Sequence, residues 1–347
     1  MVKTKAIWKS AILNLEYYKM GSIIDIEGIK VGHSSDFEAI TGCSVLLFEN
    51  PVIAAVDLRG GGTSTRQIDS LLSHNTFGKI HAILLTGGSG YGLDASSGVV
   101  RYLEERNIGL EVGHGLVVPS VPTAVIFDLG IGDGQIRPDA KMGYEACLSA
   151  RSSQVEEGSI GVGTGATIGK LMGLRQATKG GIGTESYKLK SGVTVAVLVV
   201  VNAFGDIVSS ENGEIIAGVR DSENGKEFPG TVNLFKQGII RRADTYQNTT
   251  LAVVATDANF SKSELLRISN IAQTGLAKVI SPVHTVQDGD MVISVSSGER
   301  EDDVNLVGII AADLTQKAII RAVEQSSSLG GVPCSQEIKI NKANQDQ

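Results

Sequence analysis

Asn248, Thr249 and Thr250 run straight into the apolar stretch Leu251–Val254 in "YQNTTLAVVATDA" (246–258), with no turn between the polar and apolar parts. Asn-x-Thr is a glycosylation sequon, but that modification requires secretion. The first twenty residues interrupt their apolar positions with charge, so no signal-peptide core is read there and a cytoplasmic location is expected. The plain reading is a strand start, with Asn as a turn former and Thr as a β-former. A second chemistry opens if the Asn248–Thr249 bond is broken. Thr249 then carries an α-amine beside its own hydroxyl, and such an amine, titrating at ~7.7–8.0, can act as the base for that hydroxyl. A site of this kind needs oxyanion donors, a cation or donor near Oγ and carboxylates to orient them. Asn202 ends the most apolar run, Lys170 follows a glycine-rich loop, and Asp288 and Asp290 flank Gly289 in "VQDGDMVISV". Each also has a structural role open to it: Asn202 and "QDGD" as turn formers, Lys170 as a solvated cation.

Strands and helices must hold these residues. The runs "SVLLF" (44–48), "VIAAVDLRGGG" (52–62), "IHAILLTGG" (80–88) and "VTVAVLVVVNAFG" (193–205) read as strands buried on at least one face. Helical spacing marks 94–106, 263–280 and 306–323, and Ser261 with Glu264 forms a capping-box signature for the second. Strands alternating with helices predict a layered α/β protein. No linker or repeat divides the chain, so one domain is expected over 23–335, after an N-terminal extension (1–22) and before a frayed tail (336–347). The stretch 135–190 reads as the most glycine-rich and loop-like.

Composition narrows the function classes. The chain has 347 residues, 42 glycines, 42% apolar residues and a formal net charge of −7. Without a basic run, the composition argues against nucleic acid and anionic membrane as main partners, and a small substrate fits better. No apolar run reaches the ~20 residues that span a bilayer. Cys43, Cys147 and Cys334 form no CxxC or Cys/His spacing, so neither a metal nor a disulfide framework is expected. The loops "RGGGTSTR", "TGGSGYG" and "GVGTGATIGK" fail as nucleotide motifs. Lys170 is followed by Leu171 rather than Ser or Thr, and "GGSGYGLD" lacks a third glycine at the dinucleotide offset. No cofactor is expected. These loops serve as tight turns or line a pocket for a substrate backbone.

Taken together, "NTTLAVVATDA", "VLVVVNAFG", "TGGSGYGLDAS", "VDLRGGGT" and "HTVQDGDMVISVSSG" resemble the self-processing amide hydrolases of the beta-aminopeptidase family, in order and with compatible spacing from about Ile23 to Glu299. That family includes L-aminopeptidase/D-esterase-amidases and nylon-oligomer (6-aminohexanoate) endo-hydrolases. The resemblance implies a single-domain αββα sandwich of four layers. It implies a precursor cut at Asn248–Thr249 into an α subunit (1–248) and a β subunit (249–347) that stay associated, in homo-oligomers with tetramers among the options. Thr249 falls on the nucleophile, six residues before Ala255; Asn202 falls on the oxyanion asparagine, Lys170 on the lysine of the nylon-hydrolase branch, and Asp288 and Asp290 on its paired aspartates. Phe127, Gly88 and Tyr91 are placed at the substrate pocket. Phe127 stands where several members carry a tyrosine, and Val125 stands near the acidic residue that holds a substrate's free amine in true aminopeptidases. The implied substrate is a small peptide or linear amide. The rivals are an acyltransferase of the ornithine acetyltransferase type and an unprocessed ligand-binding protein of the same fold.

Overall fold

The computed structural model of the chain describes residues 21–76, 78–239 and 248–343. Residues 1–20 of the expected extension and Tyr246 and Gln247 of "YQNTTLAVVATDA" lie outside them. Nine strands join in one hydrogen-bonded sheet: β1 (Ile29–Asp36), β2 (Thr41–Leu58), β3 (Thr65–Arg66), β4 (Lys79–Thr86), β5 (Thr123–Val125), β6 (Gly181–Lys188), β7 (Thr194–Asn202), β8 (Thr249–Ala258) and β9 (Met291–Arg300). Their order is β6-β7-β8-β9-β2-β4-β5-β3, with β1 alongside β2. The β8–β9 and β4–β5 pairs are parallel.

The two runs 44–48 and 52–62 form one long strand, β2, which ends at Leu58 and leaves its glycines to a loop. Its first half pairs with β1 and β4, and Ile53–Leu58 lies against β9. The helices are α1 (Ala95–Glu104), α2 (Ala140–Ser149), α3 (Thr231–Lys236), α4 (Lys262–Val279), α5 (Val304–Glu324) and α6 (Ser335–Ala343). Ser261 and Glu264 make the reciprocal capping box at the start of α4. Two expectations are corrected. The stretch 135–190 contains α2 and β6, and the stretch expected to fray from 336 continues α6 as far as Ala343.

The apolar run of β7 is continuous because both of its faces are buried. Side chains alternate across a strand, so Val195, Val197, Val199 and Val201 pack with α4 and α5 through Leu265, Ile268, Ala311 and Ile319. Ala196, Leu198 and Val200 face the opposite way, into a second cluster with Leu46, Phe48, Ile83 and Leu85. A third cluster packs Val45, Leu47 and Leu84 against Val99 and Leu103 of α1 and Ala146 of α2.

Helices α1 and α2 approach through glycine. A Cβ built on Gly98 would lie 1.8 Å from the Ala140 carbonyl oxygen, and one on Gly143 would lie 1.9 Å from that of Ala95. Gly98→Ala should therefore destabilise the chain by about 1–3 kcal/mol, since overpacking outweighs the ~1 kcal/mol that alanine gains in a helix. Urea unfolding monitored by circular dichroism measures the difference.

Candidate active site

Strand β8 begins at Thr249, directly across the ladder from Asn202, the last residue of β7. Asn248 makes an isolated parallel bridge to Asp288. Its N–H donates to Gln287 O at 2.9 Å, and its carbonyl oxygen accepts from the Gly289 N–H at 2.6 Å. Thr249 Oγ1 donates to that same oxygen at 2.5 Å. The hydroxyl and the carbonyl of the bond in question are therefore held against each other, and both residues are buried.

Asn202 is oriented by donors. Lys170 Nζ donates to its Oδ1 at 2.8 Å and to its backbone oxygen at 2.9 Å, and Thr167 N–H reaches Oδ1 at 3.0 Å. Two donors on one side-chain atom require that atom to be the oxygen. Nδ2 then points its hydrogens elsewhere, one of them to Phe127 O at 3.2 Å. Lys170 opens a short 3-10 turn after Gly169, which adopts φ 70°; a Cβ at Gly169 would meet Val219 N at 2.0 Å. Lys170 is 2% exposed, so the solvated-cation reading is overturned.

The two aspartates brace backbone around Thr249. Asp290 Oδ1 accepts from Thr250 N–H at 2.6 Å, and its Oδ2 takes His284 N–H at 3.1 Å and lies 3.0 Å from His284 Nδ1. Asp288 accepts from Thr285 N–H and Oγ1 at 3.0 and 2.5 Å and from Phe204 N–H at 3.3 Å. Burial, followed by the neighbouring Asp290 carboxylate, pushes the Asp288 carboxyl up to about 6. Burial pulls the Lys170 amine down to about 7 against the opposing pull of the Asp288 and Asp128 carboxylates.

Behind this group lies a pair that sequence reasoning missed. Lys179 is wholly buried, its amine donating to Thr164 O and Ala166 O at 2.7 and 2.8 Å, and burial brings it down to about 7. Asp128 accepts from Gly88 N–H and Thr41 Oγ1, each at 2.7 Å, and burial raises it to about 6. Gly88 and Phe127 thus join the site through backbone atoms, Gly88 at φ 78°. Tyr91 stands at the surface with its ring under the Arg137 guanidinium, 4.0 Å away. Gly289, Thr167, Asp128, Lys179 and His284 all escaped the sequence reading. Only the glycine between two aspartates carried a local signal. Among the described residues no group of three or more His, Cys, Asp or Glu is placed to hold a metal ion. No helix among them is long and apolar enough to cross a membrane.

Residues 21–335 match the model of peptidase family S58. The chain belongs to peptidase family S58. It is thereby an enzyme, a hydrolase acting on amide or peptide bonds. It is 39% identical to an uncharacterised aminopeptidase of Mycobacterium leprae over 90% of this chain and 93% of that one. It is 28% identical to a 6-aminohexanoate-oligomer endohydrolase of Paenarthrobacter ureafaciens over 86% and 84%. Its fold is shared with the L-aminopeptidase D-Ala-esterase/amidase of Ochrobactrum anthropi, a variant of the Ntn hydrolase fold, at a TM-score of 0.70 and 20% identity, over 90% of this S58 chain and 89% of that one.

The two buried lysines give a direct check. Between pH 7 and about 10 the unfolded chain holds a proton on each amine that the folded chain lacks, so the two together make stability rise with pH across that window. Carbon-13 spectra of lysine-labelled protein should show two side chains titrating near pH 7, and Lys170→Met should remove one. Titration of every lysine above pH 9 would contradict the site.

Proposed function

We propose that this S58 hydrolase is a precursor of four layers, αββα, that cuts itself between Asn248 and Thr249 and then uses Thr249 as an N-terminal nucleophile. The observation that carries this reading is the 2.5 Å approach of Thr249 Oγ1 to Asn248 O at a buried strand start, opposite Asn202. The layering is supported by three apolar clusters: α4 and α5 against β7 and β8, that strand pair against β1, β2 and β4, and the far side of β2 and β4 against α1 and α2.

In the processed enzyme the Thr249 α-amine serves as base and Oγ1 attacks a substrate amide carbonyl. The Asn202 side chain, fixed by Lys170 and Thr167, presents its remaining N–H to the oxyanion. The leaving amine departs, and water releases the acyl group from Oγ1. Lys170 near neutrality adjusts the charge beside Asn202.

The strand order keeps the two pieces together. Strands β8 and β9, from the C-terminal piece, lie between β7 and β2 of the N-terminal piece, so the ladders on both sides join the fragments. For substrate, the aminopeptidase and 6-aminohexanoate endohydrolase names of the relatives point to small peptides or linear amides. Val125 is an apolar, buried residue of β5 and offers no carboxylate to a substrate ammonium, which favours amides without a required free amine.

Denaturing electrophoresis of purified protein should give two fragments, residues 1–248 and 249–347, and Thr249→Ala a single full-length band. An intact band from active wild-type protein would sink the reading. Asn202→Ala should lower turnover by ~10²–10³ while the protein remains folded. On p-nitroanilides with free and blocked amines, kcat/KM should change less than tenfold on blocking.

A further inference from the structure

The glycine loop after β2 and the "QDGD" turn are joined by hydrogen bonds beside the Asn248 carbonyl. We propose that the Gly289 backbone amide is the oxyanion donor for scission of the Asn248–Thr249 bond, with the Gly62 amide positioning it. This rests on the self-processing reading and adds the group that would make it fast.

The geometry forms one line of peptide groups. Gly62 N–H donates to Asp288 O at 2.8 Å, and Gly289 N–H, at the opposite edge of the Asp288–Gly289 peptide, donates to Asn248 O at 2.6 Å. In a trans peptide the C=O and N–H point opposite ways, so a donor on one end and an acceptor on the other fix the plane. Hydrogen bonds in such a chain strengthen one another by ~10–30% each. A ladder bond of this type is ordinary in a sheet. Here its acceptor is the carbonyl oxygen that Thr249 Oγ1 already touches. Asn202 Nδ2, by contrast, has one of its two N–H groups taken by Phe127 O and makes no hydrogen bond to Asn248 O.

Gly289 and Gly60 are required by space. A Cβ on Gly289 would stand 2.8 Å from Thr249 Oγ1, displacing the attacking hydroxyl. One on Gly60 would stand 2.1 Å from Asp288 O and push the loop off the carbonyl that Gly62 holds. The side chain of Asp288 is pinned separately by Thr285 and Phe204, so the peptide cannot swing away.

In the step itself, a bond forms between Thr249 Oγ1 and the Asn248 carbonyl carbon. The carbonyl pair moves to the oxygen facing Gly289 N–H. Collapse then breaks the C–N bond, and the Thr249 nitrogen takes up the hydroxyl proton as it leaves. Water hydrolyses the resulting ester, giving the Asn248 carboxylate and the free Thr249 hydroxyl.

The test replaces the Gly289 N–H by an ester oxygen, through cell-free incorporation of glycolic acid at position 289, and follows processing of the full chain by pulse-chase electrophoresis. Folding is checked by near-ultraviolet circular dichroism. Scission is expected to slow by ~10²-fold or more, as for loss of one oxyanion donor. A folded ester chain cut at the wild-type rate would overturn the proposal. Wild type that is never cut would overturn the self-processing reading instead. If the ester chain does not fold, selectively labelled Thr249→Ala precursor decides. A scalar coupling across the hydrogen bond from Gly289 nitrogen to the Asn248 carbonyl carbon supports the assignment, and its absence refutes it.

Discussion

Two amines and three carboxylates, Lys170, Lys179, Asp128, Asp288 and Asp290, sit out of water around the start of β8, and their need for partners organises the site. An unpaired charge in such surroundings costs several kcal/mol, so each group is tied to neutral dipoles or to a neighbour of opposite sign. Burial draws the lysines down and Asp128 and Asp288 up toward the same near-neutral range.

The same compensation explains how much backbone enters the site. Asp290 grips the Thr250 amide and His284; Asp288 grips Phe204 and Thr285; Asp128 grips Gly88; Lys170 and Lys179 point at carbonyls. Charges are satisfied by main-chain groups of loops that would otherwise be loose. The glycines let those loops come close enough, as the contact of Gly87 with Asp128 illustrates: a Cβ there would lie 2.1 Å from its Oδ2.

Legibility in the sequence followed range and side-chain type. The β7 run, the α4 periodicity with its capping box, and the polar cluster at 248–249 are local patterns, and the strands and helices they foretell are present. Resemblance of ordered motifs then brought Thr249, Asn202, Lys170, Asp288 and Asp290 into one neighbourhood. For Lys170 the solvated reading stood beside the catalytic one because a lysine in a glycine loop carries no mark of burial. Asp128 joins the site through Thr41 and Gly88, 87 and 40 residues away, and Lys179 through carbonyls 15 and 13 residues away, separations that no helix or strand spacing rule reaches. Helix α2 buries only Gly143, Ala146 and Cys147, too small a face to show periodicity inside a glycine-rich segment. Gly289 acts through its amide, a group that every residue but proline possesses.

The interleaving of strands has a further consequence for the life history of the molecule. While the chain is continuous, β8 and β9 find their place between β7 and β2 by an intramolecular search. Were the chain cut as proposed, the same sheet could be rebuilt only by the meeting of two molecules, so refolding would become second order and depend on concentration. On that reading the uncut chain is the form that folds by itself, and the cut one would be an assembly held by its own kinetics of unfolding.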